Sequence, residues 1–444
     1  MGVWVQVANT GPSPRDAHAM AYDAAAQRVI LFGGYAGGAS SQNDTWTWNG
    51  INWTLLTTPV SPEPYFYHSL AYDSVHHTTV LYGAYPPPRQ NTWELSGTTW
   101  SHSSSLGPSS RVGAAMAFDA ERNEIVLFGG GSAAFPNPPL GDTWTWNGVT
   151  WSQKSVTAPP ARVSPGMVFD SARGKIVLFG GATNDSGTTC YGDTWEWDGQ
   201  QWTPIATSGP APRLEPAMTY DSVVNRIVLF GGRVNNTTGY LGDTWELTGA
   251  AWTLVANTGP AGRGYHAMAF DASRGASVLF GGFNGTRLGD TWVWSYLPLF
   301  VAQPEGRTIC PGGAASLAVA LAPNGPFTYA WRRDAVPLDS SANPSAATPT
   351  LVLAPITIAD AGAYDCVVSN GCGSRTSAAA VLSVCDHAGD TDCDGAVGPA
   401  DLGIVLANWY LTVPAHSLGD LDGDGFVSEA DLGILLGGWG AACP

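Results

Sequence analysis

Apolar and polar residues alternate with a period near two through the first two thirds of the chain, and no helical period appears between residues 1 and 296. HAMAYD (18–23) alternates as a half-buried strand does. RVILFGG (28–34) is a short apolar run stopped by a glycine pair, DTWTWNG (44–50) alternates again, and Trp53-Thr54-Leu55 starts a fourth segment. The same four segments then return. The third is the most recognisable, as GDTWEWDGQQW (192–202), with copies at 43–53, 91–100, 141–151, 242–252 and 289–296. An M-x-[YF]-D box ends at Asp23, Asp73, Asp119, Asp170, Asp221 and Asp271, positions that lie between 46 and 51 residues apart. Six units of four short strands predict a mainly β fold with a six-bladed β-propeller over residues 1–297.

The sixth unit lacks its fourth strand. The N-terminus supplies a match for it, because Trp4 to Pro12 (WVQVANTGP) nearly repeats Trp252 to Pro260 (WTLVANTGP). The first strand is therefore expected to complete the last blade and hide its edge.

With its FGG pairs and paired Trp boxes, this region resembles the bacterial kelch or galactose-oxidase-like propellers over about 290 residues. Residues 298–384 differ. Trp331 lies in a YAWRRD strand, and Asp360-Ala361-Gly362-Ala363-Tyr364-Asp365-Cys366 follows, the Trp and D-x-G-x-Y-x-C pattern of an immunoglobulin sandwich. This segment resembles bacterial Ig-like domains. The usual partner cysteine would fall near Val319, where there is none; the resemblance instead implies a Cys310–Cys372 bridge. Seven cysteines leave at least one without an intramolecular partner, and Cys190, alone in a propeller loop, is the expected free thiol.

Residues 385–444 carry the sharpest chemical pattern. Two twelve-residue loops begin at Asp390 and Asp420, with carboxylates at positions 1, 3, 5 and 12, glycine at position 6 and a backbone carbonyl at position 7. The candidate ligands of two Ca²⁺ ions are Asp390, Asp392, Asp394, Ala396 and Asp401 in the first loop, and Asp420, Asp422, Asp424, Phe426, Ser428 and Asp431 in the second. Gly398 occupies position 9 of the first loop, so a water would serve there. Each loop runs into a short apolar helix, ADLGIVLANW or ADLGILLGGW, and has Asp at position 12. That combination resembles a type I dockerin, a small α-helical module. The resemblance implies a cohesin-like or cell-surface partner through 385–444, although Pro399-Ala400 and Glu429-Ala430 lack the hydroxyl pair common at the family's contact positions. Cys385 and Cys443 flank the module and are candidates to clasp its ends, with Cys393 as a competitor.

Within the propeller, Arg15, Arg111, Arg162, Arg213 and Arg263 share one repeat position, with Tyr65 in the second unit. His18, His68 and His266 share another, three residues later. As repeat positions they read first as scaffold that bridges neighbouring blades. The second reading is a ring of donors at the channel mouth, a candidate ligand-binding set. The loops after FGG (35–38, 85–89, 135–138, 184–186, 233–236 and 283–287) vary and collect aromatic, Asn and Arg side chains, which suits a carbohydrate or protein ligand. No catalytic triad, carboxylate pair or sialidase box emerges, and the Tyr, His and Cys set of the kelch copper oxidases is incomplete. Binding is the expected function, with an enzyme acting on extracellular polysaccharide or a surface-display protein as alternatives.

Net charge changes the list of partners. At −17, with 12% charged residues and no basic run, the chain offers nothing to a nucleic-acid backbone. No stretch of 18 apolar residues is present to span a bilayer. The three modules together imply a secreted or cell-surface protein, and MGVWVQVANT has neither the basic nor the apolar region of a signal peptide.

Overall fold

A computed structural model describes the chain apart from residues 1, 9, 39–40, 84–90, 105–106, 133–137, 206–207, 236–238, 323–324, 385–388, 393, 416 and 442–444. It forms two compact units, Met1–Tyr296 and Leu297–Pro444. The expected Ig-like and calcium-loop segments both lie in the second.

The first unit contains six four-stranded antiparallel sheets. In the first sheet the strands are Ala19–Asp23 (inner), Arg28–Phe32 (second), Thr45–Trp48 (third) and Trp53–Leu56 (outer). The inner strand of each sheet packs against that of the next, and Ala19–Asp23 packs against both Ser69–Asp73 and Ala267–Asp271, so the ring closes. The second strands are continuous apolar runs because both of their faces are covered: Val29, Ile30, Leu31 and Phe32 have no solvent exposure. Closure uses the N-terminus as expected, with Val3–Ala8 pairing antiparallel to Thr291–Ser295 as the fourth strand of the last sheet.

Each residue of the D-T-W box has a separate task. The indole of the outer-strand Trp donates to the Thr of the preceding sheet: Trp53 to Thr291, Trp100 to Thr45, Trp151 to Thr92, Trp202 to Thr143, Trp252 to Thr194 and Trp4 to Thr244, all at 2.8–3.0 Å. These six bonds link every sheet to its neighbour around the ring. The FGG pair also has a geometric cause. Gly33 and Gly34 have φ of 65° and 99°, and a Cβ on Gly33 would lie 2.6 Å from the carbonyl oxygen of Tyr65 in the next sheet.

The second unit opens with a sandwich. Thr328–Arg333, Gly362–Asn370 and Ala380–Val384 form its central antiparallel strands, Arg307–Ile309 runs parallel to the last, and Ala315–Ala318 pairs with Thr350–Leu353. Trp331 and Cys366 are fully buried in the core. The Tyr364 hydroxyl donates to the Asp360 carbonyl at 2.7 Å, the corner bond that the sequence pattern predicts. Val319 belongs to the same buried core as Cys366, so an apolar side chain stands where the partner cysteine would. The Cys310–Cys372 pairing is not formed: Cys310 is disulfide-bonded, whereas Cys372 is a free, exposed thiol. Cys190 is free as expected, and so is Cys366. The suggested clasp between Cys385 and Cys443, with its competitor Cys393, lies outside the described residues. Two helices follow, α1 (Pro399–Ala407) and α2 (Glu429–Gly437), around a small core of Val397, Val405, Val427 and Leu435.

Candidate functional sites

The repeated arginines are structural, which corrects their assignment as ligand donors. Arg15, Arg111, Arg162, Arg213 and Arg263 are at most 1% exposed. Each binds a carboxylate of its own sheet with both terminal nitrogens: Arg15 to Asp44, Arg111 to Asp142, Arg162 to Asp193, Arg213 to Asp243 and Arg263 to Asp290, at 2.6–2.9 Å. Each also donates to the carbonyl of the first glycine of its FGG pair. The same aspartates accept the indole N–H of the next Trp, as Asp193 does from Trp195 at 2.7 Å. Buried to this degree and bonded inside the fold through both terminal nitrogens and Nε, these guanidiniums do not serve as ligand donors, and the clamp lies within a sheet instead of bridging two. In the second sheet the whole clamp is absent: Tyr65 replaces Arg, Asn91 replaces Asp, and the Trp93 indole is buried without a hydrogen bond.

His18, His68 and His266 do reach one cavity on the ring axis, of about 130 Å³. They line it as neutral wedges between sheets. Each ring meets the FGG phenylalanine of the preceding sheet edge-on, His18 on Phe280, His68 on Phe32 and His266 on Phe230. Burial lowers all three pKa values, to about 3 for His68 and His266.

The more varied lining of this cavity comes from a repeat position outside the arginine and histidine sets. Ala17, Tyr67, Gly113, Ser164, Glu215 and Tyr265 stand two residues after the clamp position, one per sheet, and all have φ between 51° and 61°. Their backbones join sheet to sheet: Tyr67 N–H donates to Ala17, Gly113 to Tyr67, Ser164 to Gly113, Glu215 to Ser164 and Ala17 to Tyr265, at 2.8–3.0 Å. The inter-sheet bonds hold the left-handed conformation whatever the side chain, so the side chain is free to differ. The signal was available in the sequence, as a position occupied by Ala, Tyr, Gly, Ser, Glu and Tyr inside an otherwise fixed motif.

Three of these side chains build an asymmetric polar cluster. Arg233, from the loop after the fifth FGG, donates to both Glu215 oxygens at 2.7–2.8 Å and to the Tyr265 hydroxyl at 2.5 Å, and its guanidinium lies 4.8 Å from the centre of the Tyr265 ring. The Tyr67 and Tyr265 rings meet at 5.5 Å. Burial pushes the Glu215 carboxyl up to about 7 against the opposing pull of Arg233. Nearby, burial raises Asp16 to about 6, opposed by its ion pair with Arg287 at 2.8 Å, while Arg287 stacks over Tyr35 at 4.4 Å. Of the variable loops after FGG, 233 and 283–287 thus supply residues near this mouth, whereas 85–89 and 135–137 lie outside the described residues.

The two C-terminal loops have matching hydrogen-bond patterns. Asp401 accepts from the backbone N–H groups of Thr391, Asp392 and Gly398, and Asp431 from those of Leu421, Asp422 and Ser428. Burial alone would raise these carboxyls, but the backbone donors hold both below the usual range. Asp390, Asp392 and Asp394 converge with carboxylate oxygens within 4.8 Å of one another, as do Asp420, Asp422 and Asp431. Asp401 and Asp424 stand outside these triplets, and the Ser428 hydroxyl caps α2 at Ala430 N–H. The loops also pair reciprocally: Val397 bonds with Gly440 and Ala441 after α2, and Val427 with Tyr410 and Leu411 after α1.

Residues 141–298 match a family model described as the KLHDC2/KLHL20/DRC7 Kelch-repeats domain, and residues 298–384 match the immunoglobulin I-set domain. The chain therefore carries a kelch-repeat domain followed by an immunoglobulin-like domain, a pairing of the binding or adhesion type. The advanced glycosylation end product-specific receptor of Homo sapiens is 31% identical over 116 residues, which cover 25% of this chain and 28% of the receptor. The receptor of Mus musculus is 30% identical over 104 residues, covering 23% and 25%. The chain thus spans about a quarter of the length of these curated relatives. Among solved structures, that of YjhT aligns over 65% of this chain and 96% of its own at 12% identity and a TM-score of 0.48. The titin M3 domain aligns over 20% and 95% at 21% identity and a TM-score of 0.18. No helix among the described residues is long and apolar enough to cross a membrane.

Proposed function

We propose that the chain is a secreted bacterial binding protein in which a six-bladed kelch disc recognises a protein or carbohydrate ligand at the mouth built by Tyr67, Glu215, Tyr265 and Arg233. The observation that carries this reading is the contrast at the mouth. A scaffold repeated six times, with its arginines spent on internal clamps, presents unlike side chains there and places a buried Glu–Arg pair beside two tyrosines. Aromatic faces with fixed donors and acceptors suit a polar ligand that must be oriented.

In the same reading the C-terminal loops each take one Ca²⁺ and form a dockerin-like module that docks the chain to a cohesin-like or cell-surface partner. The donor chemistry fits a hard cation: the side-chain donors are carboxylate oxygens, and residues 385–444 hold ten acidic side chains with no Lys or Arg to balance them. The immunoglobulin-like segment then serves as a spacer.

The test is to probe protein and oligosaccharide arrays with the full chain in millimolar Ca²⁺, alongside Tyr265→Ala and Tyr67→Ala. Capture that falls at least about tenfold in either variant, with its melting transition retained, supports the reading. Capture that is identical in both variants, or absent from every array, overturns the assignment of the mouth. Cleavage or oxidation of a captured sugar would replace binding with catalysis.

A further inference from the structure

Every methionine except Met1 lies on the inner strands: Met20, Met116, Met167, Met218 and Met268, with Leu70 at the sixth place. The next residue is small in every sheet, Ala21, Ala71, Ala117 and Ala269 in four and Val168 and Thr219 in the others. The one after is aromatic, as at Tyr22 and Phe270. Because the inner strands close into a ring, these residues stack as three layers around the axis. Six small side chains cannot fill the middle layer. The result is a second cavity of about 470 Å³, lined from all six sheets, at the end of the inner strands away from the Glu215 mouth.

Its chemistry is unlike that of the mouth. Among the described residues no charged side chain lines it, and its polar atoms are few, chiefly the hydroxyls of Ser171, Thr219 and three tyrosines. All three tyrosines are engaged: Tyr22 accepts from Ser273 N–H at 3.1 Å, Tyr72 accepts from Ala25 N–H at 3.2 Å and Tyr220 donates to Asn225 Oδ1 at 2.9 Å, while the Thr219 hydroxyl is hydrogen-bonded to that of Ser277 at 2.7 Å. Water finds few partners in such a space, whereas apolar molecules bind well in apolar voids. Thioether side chains adapt to the shape of what they meet. The volume lies within the range of small-molecule sites, and the wall has the usual apolar and aromatic character of such sites.

We propose that this channel is a binding site for an uncharged small molecule with an aryl or short alkyl body, entering past the aromatic layer where Ala24, Ala120 and Ala272 are exposed at the turns. The site is independent of whatever the Glu215 mouth binds. The test is fluorescence titration of the full chain with N-phenyl-1-naphthylamine. The expected result is saturable binding of one probe per chain, displaced by 1-octanol more effectively than by octanoate or octylammonium. Ala120→Trp, which adds an indole at the exposed rim, should weaken binding by about tenfold or more. Val149→Trp, on an exposed outer turn, should leave it unchanged. If Ala120→Trp does not fold, Ala272→Trp carries the same prediction from the rim of the sixth sheet, across the ring. Absence of saturable binding, equal affinity in a folded rim variant, or preferential displacement by either charged competitor would overturn the proposal.

Discussion

At the scale of single residues, the clamp shows how a buried charge is made tolerable. Arg162 has no exposed surface, yet two Asp193 oxygens, the Gly180 carbonyl and the Pro160 carbonyl accept four of its five N–H donors. Arg162→Ala should cost about 3 kcal/mol, the lower end for a broken buried pair because Asp193 keeps some solvent, measured by denaturant unfolding. The second sheet offers the converse. Tyr65→Arg alone places a charge opposite Asn91 and should destabilise the fold. Tyr65→Arg with Asn91→Asp should recover most of that loss, so a double-mutant cycle with no coupling would refute the clamp as a unit. Histidine gives the pH dependence. His68 and His266 titrate near 6.5 when unfolded and near 3 when folded, so the unfolded state binds more protons between those values and stability falls as pH drops from 6.5 towards 3. The slope is about 1.4 kcal/mol per pH unit for each ring. Asp16, Asp221 and Glu215, raised by burial, act in the opposite sense over pH 7 to 4, which masks the effect in the parent protein. His68→Ala copies the residue that the third sheet already has at Ala114. Its melting temperature should lie below the parent's at pH 7, and that gap should narrow steadily as pH falls to 4; a constant gap would mean that the ring is not neutral in the fold.

At the scale of elements, what could be read from the sequence was whatever the repeat kept fixed. The strands, their order and the ring closure by Val3–Ala8 follow from period-two alternation, glycine pairs and the likeness of 4–12 to 252–260. The roles of the fixed residues were less legible, because a repeat shows that a residue matters without showing where its side chain points. Arginine at the clamp position reads first as a bridge between blades and second as a donor at the channel mouth, and only the aspartate 27–31 residues later turns it into a bond within one sheet. The polar cluster was missed for the opposite reason: Glu215 and Tyr265 vary where the motif does not, and Arg233 joins them only through folding. Closure has a measurable consequence. Trp4 donates to Thr244 at 2.8 Å and packs on Phe230 and Trp294, so removal of residues 1–10 breaks one of the six inter-sheet links and bares the Thr291–Ser295 edge. The truncated protein should melt lower and associate at high concentration, because an open strand edge pairs with other chains. An unchanged melting temperature and a monomeric sedimentation profile would show that the strand is dispensable.

At the scale of the whole molecule, charge is distributed to match the division of labour. The kelch unit neutralises its aspartates internally, through Arg–Asp clamps and turn pairs such as Arg122 with Asp119 and Arg274 with Asp271. The C-terminal sixty residues hold no cation of their own, so their two carboxylate triplets repel unless something positive joins them. The core that would resist this is small, four fully buried apolar side chains with a few partners. If Ca²⁺ supplies the missing charge, binding and folding of this segment are one equilibrium. Chelation should then make residues 385–444 protease-sensitive while the transition of Met1–Tyr296, which has its own core, stays where it was. Calorimetric titration of the chelated chain should return two ions. Asp394→Ala, which removes a member of the first triplet, should return one. Asp424→Ala is the more exacting case, since Asp424 stands outside the second triplet: full binding in that variant would confine the second set to Asp420, Asp422 and Asp431, and loss of the ion would mean that the loop closes on its cation. Two ions bound by Asp394→Ala, or equal protease resistance with and without chelator, would leave the acidic loops as solvated turns and remove calcium from the account.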